Sequence, residues 1–203
     1  MASPSASPRR IGKANSKTRA ELVDAAERVL LDEGYAAVTS RRVAAVAGLK
    51  PQLVHYYFRT MDDLFLEVFR RRADENIVRA ERLLSTDGSL RALWELNSDP
   101  RGAVFNIEFV ALGNHRKVIR AEIAAYAERF RAAQLEALSA ALQSSGVPEN
   151  QLPPVVALLL MTGLTQILAL ERVLGVSAGH DATLAYIEGA LAQLEPPAAA
   201  PPD

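Results

Sequence analysis

Four side chains that can all donate or accept hydrogen bonds, Gln52, His55, Tyr56 and Arg59, stand close together in the stretch GLKPQLVHYYFRT. At about 100° per residue they share one side of a helix, with Val54 and Phe58 opposite and Tyr57 at the edge. A glutamine amide can pair with both N6 and N7 of adenine in the major groove, while Tyr, His and Arg can donate to phosphate. Upstream stand Thr39, Ser40, Arg41 and Arg42. The Arg41 guanidinium can fork onto guanine O6 and N7, and Arg42 is a candidate for the DNA backbone. Recognition of a duplex is the chemistry this set supports. The plainer reading is an aromatic core helix, and geometry alone leaves both open.

These residues need two short helices to hold them. Thr39 or Ser40 can cap a helix over RRVAAVA, which Gly48 ends, and Pro51 suits the first turn of the next. Two short helices around a tight glycine turn make a helix-turn-helix, whose second helix enters the groove. A helix over 16–32 precedes them, burying Leu22, Ala25, Ala26 and Val29 and stopping at Gly34. After Thr60 a longer helix starts on Asp62 and Asp63, acids that favour its positive end. Five more are expected over 88–97, 101–113, 116–144, 153–174 and 180–195. No stretch keeps a period of two, so the chain reads as all-α. The expected plan is a Ser/Pro-rich tail (1–15), a helix-turn-helix head (16–60, with the connecting helix begun by about 66), an effector-binding and dimerisation body (61–195) and a disordered tail (196–203).

Composition narrows the function further. The 203 residues include no cysteine, which excludes disulfides and thiolate chemistry. No signal-peptide pattern opens the chain, and a cytoplasmic protein is expected. The apolar run 155–170 falls short of the roughly 20 residues of a membrane span and reads as a helix buried on most sides. Residues 1–60 carry ten Lys/Arg against five Asp/Glu, and the remainder thirteen against nineteen, so a polyanion is attracted to the first part. No HExxH, GxSxG, GxGxxG or Walker loop is present, and no enzyme, metal or cofactor is expected.

The run VTSRRVAAVAGLKPQLVHYYFRTMDDL (38–64) resembles the DNA-binding head of the TetR family of bacterial transcription regulators. Thr39, Ala44, Ala47-Gly48, Tyr56, Phe58, Arg59, Asp62-Asp63 and Leu64 carry the likeness, with Ala25-Ala26 and Gly34-Tyr35 upstream. It covers residues 16–66. The resemblance implies a homodimer on a palindromic double-stranded operator, with half-sites about 34–36 Å apart, and implies a repressor more readily than an activator. It also implies that Thr39 and Ser40 bind phosphate and Arg41 a base. Lys50, Gln52 and His55 would face the groove, with Tyr56, Tyr57 and Arg59 near the backbone. Three positions depart from the pattern: Gln52, where Gly or Pro is common, Leu53, where Thr is common, and His55, where Tyr is common. Leu53 would touch a thymine methyl instead of phosphate. Arg9, Arg10 and Lys13 of the tail either add DNA contacts or stay solvated.

For the body, the resemblance implies a pocket for a small effector, hydrophobic or amphipathic. Its candidates are Trp94, Phe105, Phe109, Leu112, Tyr126, Phe130, Met161, Thr162 and Gln166, each more readily read as core. The resemblance also places a dimer seam on the last two helices. Leu164 and Leu168 are candidates there, with the small residues Ala182, Ala185, Gly189 and Ala192 on a broad apolar surface, which packing within one chain explains about as well. Asn114-His115-Arg116-Lys117 with Arg120 reads as a solvated helix start or an anion site, and His180-Asp181 as a loop and helix cap. The other functional reading is a helical dimer that binds a small ligand or a protein without reading DNA.

Overall fold

The computed structural model describes residues 16–195; both tails, with Arg9, Arg10 and Lys13, lie outside them. The fold is all-α, and the described residues contain no strand. The Ser16 side chain accepts the Arg19 N–H and opens α1, Lys17–Glu33. Gly34, at φ 82°, closes it in a conformation that L side chains rarely adopt. A 3₁₀ turn, Tyr35–Ala37, follows. It is a feature with no period to betray it in the sequence. Thr39 caps α2, Ser40–Ala47, by accepting the Arg42 N–H at 3.2 Å. Left-handed Gly48 then turns the chain into α3, Pro51–Tyr57, with proline in its first turn.

Helix α4, Met61–Thr86, starts on a reciprocal cap. Thr60 N–H donates to Asp63 Oδ2 at 3.0 Å, and Asp63 N–H to Thr60 Oγ1 at 3.1 Å. The remaining helices are α5 (Leu90–Asn97), α6 (Pro100–His115), α7 (Lys117–Ser144), α8 (Pro154–Val173) and α9 (His180–Leu194).

The chain divides into two compact units: one up to Ala73 with Glu108–Ile123, the other Asp74–Ile107 with Ala124 onward. In the first, α2 packs on α1 and α3. Its buried side chains include Leu22, Leu30, Val43, Val54, Phe58, Leu64, Phe65 and Ile119. In the second, Leu90, Leu93, Leu138, Leu142, Leu158 and Leu191 form a buried cluster.

Helix α8 departs from expectation. It runs to 20 residues, long and apolar enough by length and composition to cross a membrane. Only Leu158, Thr165, Leu168 and Ala169 of it are buried, whereas Val155, Val156, Leu159, Leu160 (65% exposed), Ile167 and Val173 are exposed. It is therefore not buried on most sides. A single neighbouring layer covers one stripe of a helix, and one that is apolar all round keeps a second apolar face.

Candidate nucleic-acid interface

The first unit builds its polar face from α2 and α3. Val54 is 1% and Phe58 2% exposed, whereas Lys50, Gln52, His55, Tyr56 and Arg59 are exposed and Leu53 and Tyr57 half-buried. Helical phase thus separates anchor from surface as expected, with one adjustment. The helix stops at Tyr57, and Phe58 caps it in extended backbone at φ −125° and ψ 123°. Arg59 consequently lies beyond the helix, and its place is set by the chain's turn toward α4.

Arg19 holds that turn from α1. Its guanidinium sits 5.2 Å over the Phe58 ring and pairs with Glu67 of α4. The hydrogen bond from Arg19 keeps the Glu67 carboxyl below its ordinary value. Tyr56 and Tyr57 meet edge to face, their ring centroids 5.0 Å apart. One anchored end and one stiffened aromatic pair fix how α3 presents Gln52 and His55.

At the start of α2, the Thr39 hydroxyl oxygen accepts the Arg42 N–H, which leaves its own proton to donate. Ser40 is half-buried, and Arg41 is exposed. Arg42 does not stand free for a DNA backbone. Its Nη2 lies 2.6 Å and its Nε 2.9 Å from Glu33 Oε1. That hydrogen bonding lowers the Glu33 pKa and raises that of Arg42. The charge of Arg42 therefore braces α2 against the end of α1. Sequence reasoning missed this brace, and it missed Glu108 of α6, which accepts the Tyr35 N–H at 2.7 Å.

Two side chains of the basic run at 114–120, Arg116 and Arg120, are held within the chain. Arg120 donates from Nε to the Gly113 carbonyl at 3.1 Å and from Nη2 to the Asn114 carbonyl at 3.0 Å, capping the end of α6. Arg116 pairs with Asp62 and lies 5.5 Å over the Phe65 ring.

The effector candidates stand in different settings. Phe109 and Leu112 are buried in the first unit, where Phe109 meets Phe65 and Phe69 at 6.4 and 5.0 Å between centroids. The other seven belong to the second unit. Phe105 is buried. Tyr126 stacks on Phe130 at 5.5 Å, and its hydroxyl accepts from Asn76 at 2.6 Å. Asn97 donates to Gln134 at 2.6 Å and lies 3.8 Å from the Met161 sulfur. Thr162 donates to the Leu158 carbonyl, and Gln166 is exposed. Trp94 lines a cleft of about 80 Å³ with Asn97, Ser98, Asp99, Thr165, Leu168 and Arg172.

The seam candidates divide as well. Leu168 is buried in that cleft, and Leu164 packs on the core cluster. Ala182, Ala185, Gly189 and Ala192 are exposed. A Cβ on Gly189 would meet nothing within 4 Å. His180 is buried rather than looped out, its Nε2 2.7 Å from Glu171 Oε2.

Two short helices, the second anchored by its apolar side and exposing its polar one, define the helix-turn-helix class of nucleic-acid-binding head. Residues 22–68 match the family model of bacterial regulatory proteins of the tetR family. Over 52 residues the chain is 44% identical to the HTH-type transcriptional regulator BetI of Rhizobium meliloti (strain 1021). That match spans 26% of this chain and 26% of that relative. The fold is shared with a TetR-family transcriptional regulator of Rhodococcus sp. at TM-score 0.69 and 18% identity, covering 89% of this chain and 100% of that one. It is shared equally with a transcriptional regulator of Saccharomonospora viridis, solved in complex with choline. There the TM-score is 0.70 and the identity 20%, over 79% of this chain and 88% of that one. The likeness to the tetR family of bacterial regulatory proteins thus lies in the head, and the chain spans about a quarter of the curated relative it matches.

Proposed function

We propose that the protein is a ligand-responsive, DNA-binding transcription regulator, a homodimer released from a palindromic operator by a small molecule. The observation that carries the reading is the exposed set Arg41, Lys50, Gln52, His55 and Tyr56 on two helices whose apolar sides are buried. Arg41 and Gln52 are the base readers, by their bidentate geometry. Thr39, Ser40, Tyr56, Tyr57 and Arg59 serve the phosphates, with Leu53 and His55 beside the groove. Repression, rather than activation, follows the family resemblance.

Dimerisation is supported by the second unit. Leu160, Ile167 and Val173 of α8 and Tyr186 of α9 are exposed, the last at 76%, and the small residues of α9 are exposed with them. A seam through α8 and α9 gives both sets a partner. Leu160 and Ile167 enter it in place of the inward-facing Leu164 and Leu168.

The effector is a small molecule held by the second unit, a reading to which the choline complex of the structural neighbour lends support. The cleft beside Trp94 holds about 80 Å³, less than the roughly 300 Å³ at which drug-sized sites begin. A larger effector therefore requires its lining to part.

Selection of tight binders from random duplexes at about 150 mM salt tests the reading, since non-specific attraction is weakened there. Recovery of a palindrome is the expected result. Recovery of nothing by a folded dimer, repeated after bound small molecules are stripped, would leave the dimer that binds ligand or protein without reading DNA.

A further inference from the structure

Glu108 is the first residue of α6 that belongs to the head unit. Its carboxylate accepts the backbone N–H of Tyr35 at 2.7 Å, across 73 residues of sequence. That N–H opens the 3₁₀ turn Tyr35–Ala37, and the first donors of a helical turn have no partner inside it. The turn is the corner between α1 and α2. The carboxylate lies beside Gly34, whose φ of 82° is what calls for glycine there; a Cβ would meet Glu108 Oε2 at 3.4 Å, an ordinary contact.

A second carboxylate grips the same corner from within the chain's local run. Glu33 at the end of α1 holds Arg42 of α2. Glu108 thus acts from α6 on the turn, while Glu33 acts from α1 on the helix that follows it.

The rest of the segment 108–123 secures the other side of the helix-turn-helix. Phe109 packs on Phe65 and Phe69 of α4. Arg116 pairs with Asp62 in the first turn of α4. Glu122 accepts from Arg70 Nε at 3.0 Å and Nη2 at 2.7 Å. Through these contacts the segment touches the corner before α2 and the helix after α3.

Resting on the DNA-binding reading of the head, we propose that Glu108 is a positioning residue for base recognition. By capping the α1–α2 corner it fixes the attitude of α2. Through the packing of α2 on α3 it fixes the face that carries Arg41, Gln52 and His55. Bidentate base contacts tolerate displacements of only about 0.5 Å and 10–20°. Phosphate contacts depend mainly on charge and on long flexible side chains. Loss of the cap therefore separates the two kinds of binding, weakening operator recognition and sparing attraction to any duplex.

The test uses the full chain as wild type, Glu108→Met and Glu108→Gln, with the recovered operator and a random-sequence duplex at about 150 mM salt. Methionine keeps the length of the side chain and removes the acceptors, while glutamine keeps one carbonyl oxygen. Glu108→Met should lose about tenfold in operator affinity, the factor one charge-assisted hydrogen bond supplies. Its affinity for the random duplex and its salt slope should stay within about twofold of wild type. Glu108→Gln should return operator affinity to within about threefold, since a neutral hydrogen bond is the weaker one. Wild-type operator affinity in Glu108→Met overturns the proposal, as does an equal loss on both duplexes or a Glu108→Gln as weak as the methionine variant.

Amide hydrogen exchange on the wild type gives a readout that needs no variant to fold. The Tyr35 amide should be protected relative to that of Ala36, and equal exchange at the two overturns the proposal. A wild type that recovers no operator is the failure of the regulator reading, seen before any variant is made.

Discussion

The two units expose opposite kinds of surface. The head buries its apolar residues and offers Arg41, Gln52, His55 and Tyr56. The second unit buries one stripe of α8 and leaves Leu160, Ile167 and Val173 outside. A polar face on a braced frame is suited to a hydrated, charged partner, because hydrogen bonds are exchanged there without leaving water-starved groups. An apolar face is suited to one that removes it from water, at about 25 cal/mol per Å² covered. The lesson is that exposure has to be judged by chemistry: the same accessibility in two places points to two different partners.

Breaking the head's core gives the largest effect. Phe109→Ala should cost about 3–5 kcal/mol in denaturant unfolding, because the ring is wholly enclosed beside Phe65 and Phe69. A loss below about 1 kcal/mol would mean that α6 contributes little to that unit. Next is the apolar face. Leu160→Asp should weaken the dimer by about 2–4 kcal/mol if Leu160 lies at the centre of the seam. An unchanged dimer by sedimentation equilibrium would move the seam off this part of α8.

The polar face yields a smaller, more selective effect. Arg41→Ala should cost about 1–3 kcal/mol on the operator and relax preference at one base pair. Equal losses on every sequence would reassign Arg41 to phosphate.

The smallest effect is on the frame. Because the folded Glu67 pKa lies below its unfolded value, the Arg19–Glu67 pair contributes stability that is present above the unfolded value. That contribution is lost as pH falls through the folded one. Unfolding free energy followed below about pH 4 should therefore drop more steeply in wild type than in Glu67→Gln. Near neutral pH the substitution should cost no more than about 1 kcal/mol, since both side chains are partly exposed. Identical acid slopes would show that the pair does not brace the head.

Much of the candidate interface was legible because it is local. The split of Val54 and Phe58 from Gln52, His55 and Tyr56 follows from helical phase over seven residues, and Thr39, Gly48 and Pro51 announce their roles by type. The end of α3 at Tyr57 was not legible. Phe58 leaves the helix to reach its buried place beneath Arg19, a contact from 39 residues upstream. The inward turn of Leu164 and Leu168 was equally hidden, since α8 is apolar on every side and its sequence does not distinguish them from Leu160 and Ile167.

By itself the sequence determined the α-helices in outline, the Thr39, Gly48 and Pro51 boundaries and the polar face of α3. Each of these depends on backbone hydrogen bonds and side chains a few residues apart, where spacing along the chain is spacing in space. Tertiary structure alone decided that Glu108 caps the Tyr35 turn, that Arg42 pairs with Glu33, and that the segment 108–123 belongs with the head. Those pairings join carboxylates to donors on other elements. Many surface acids and arginines could satisfy the same chemistry, and only the packing of the buried side chains selects which of them meet.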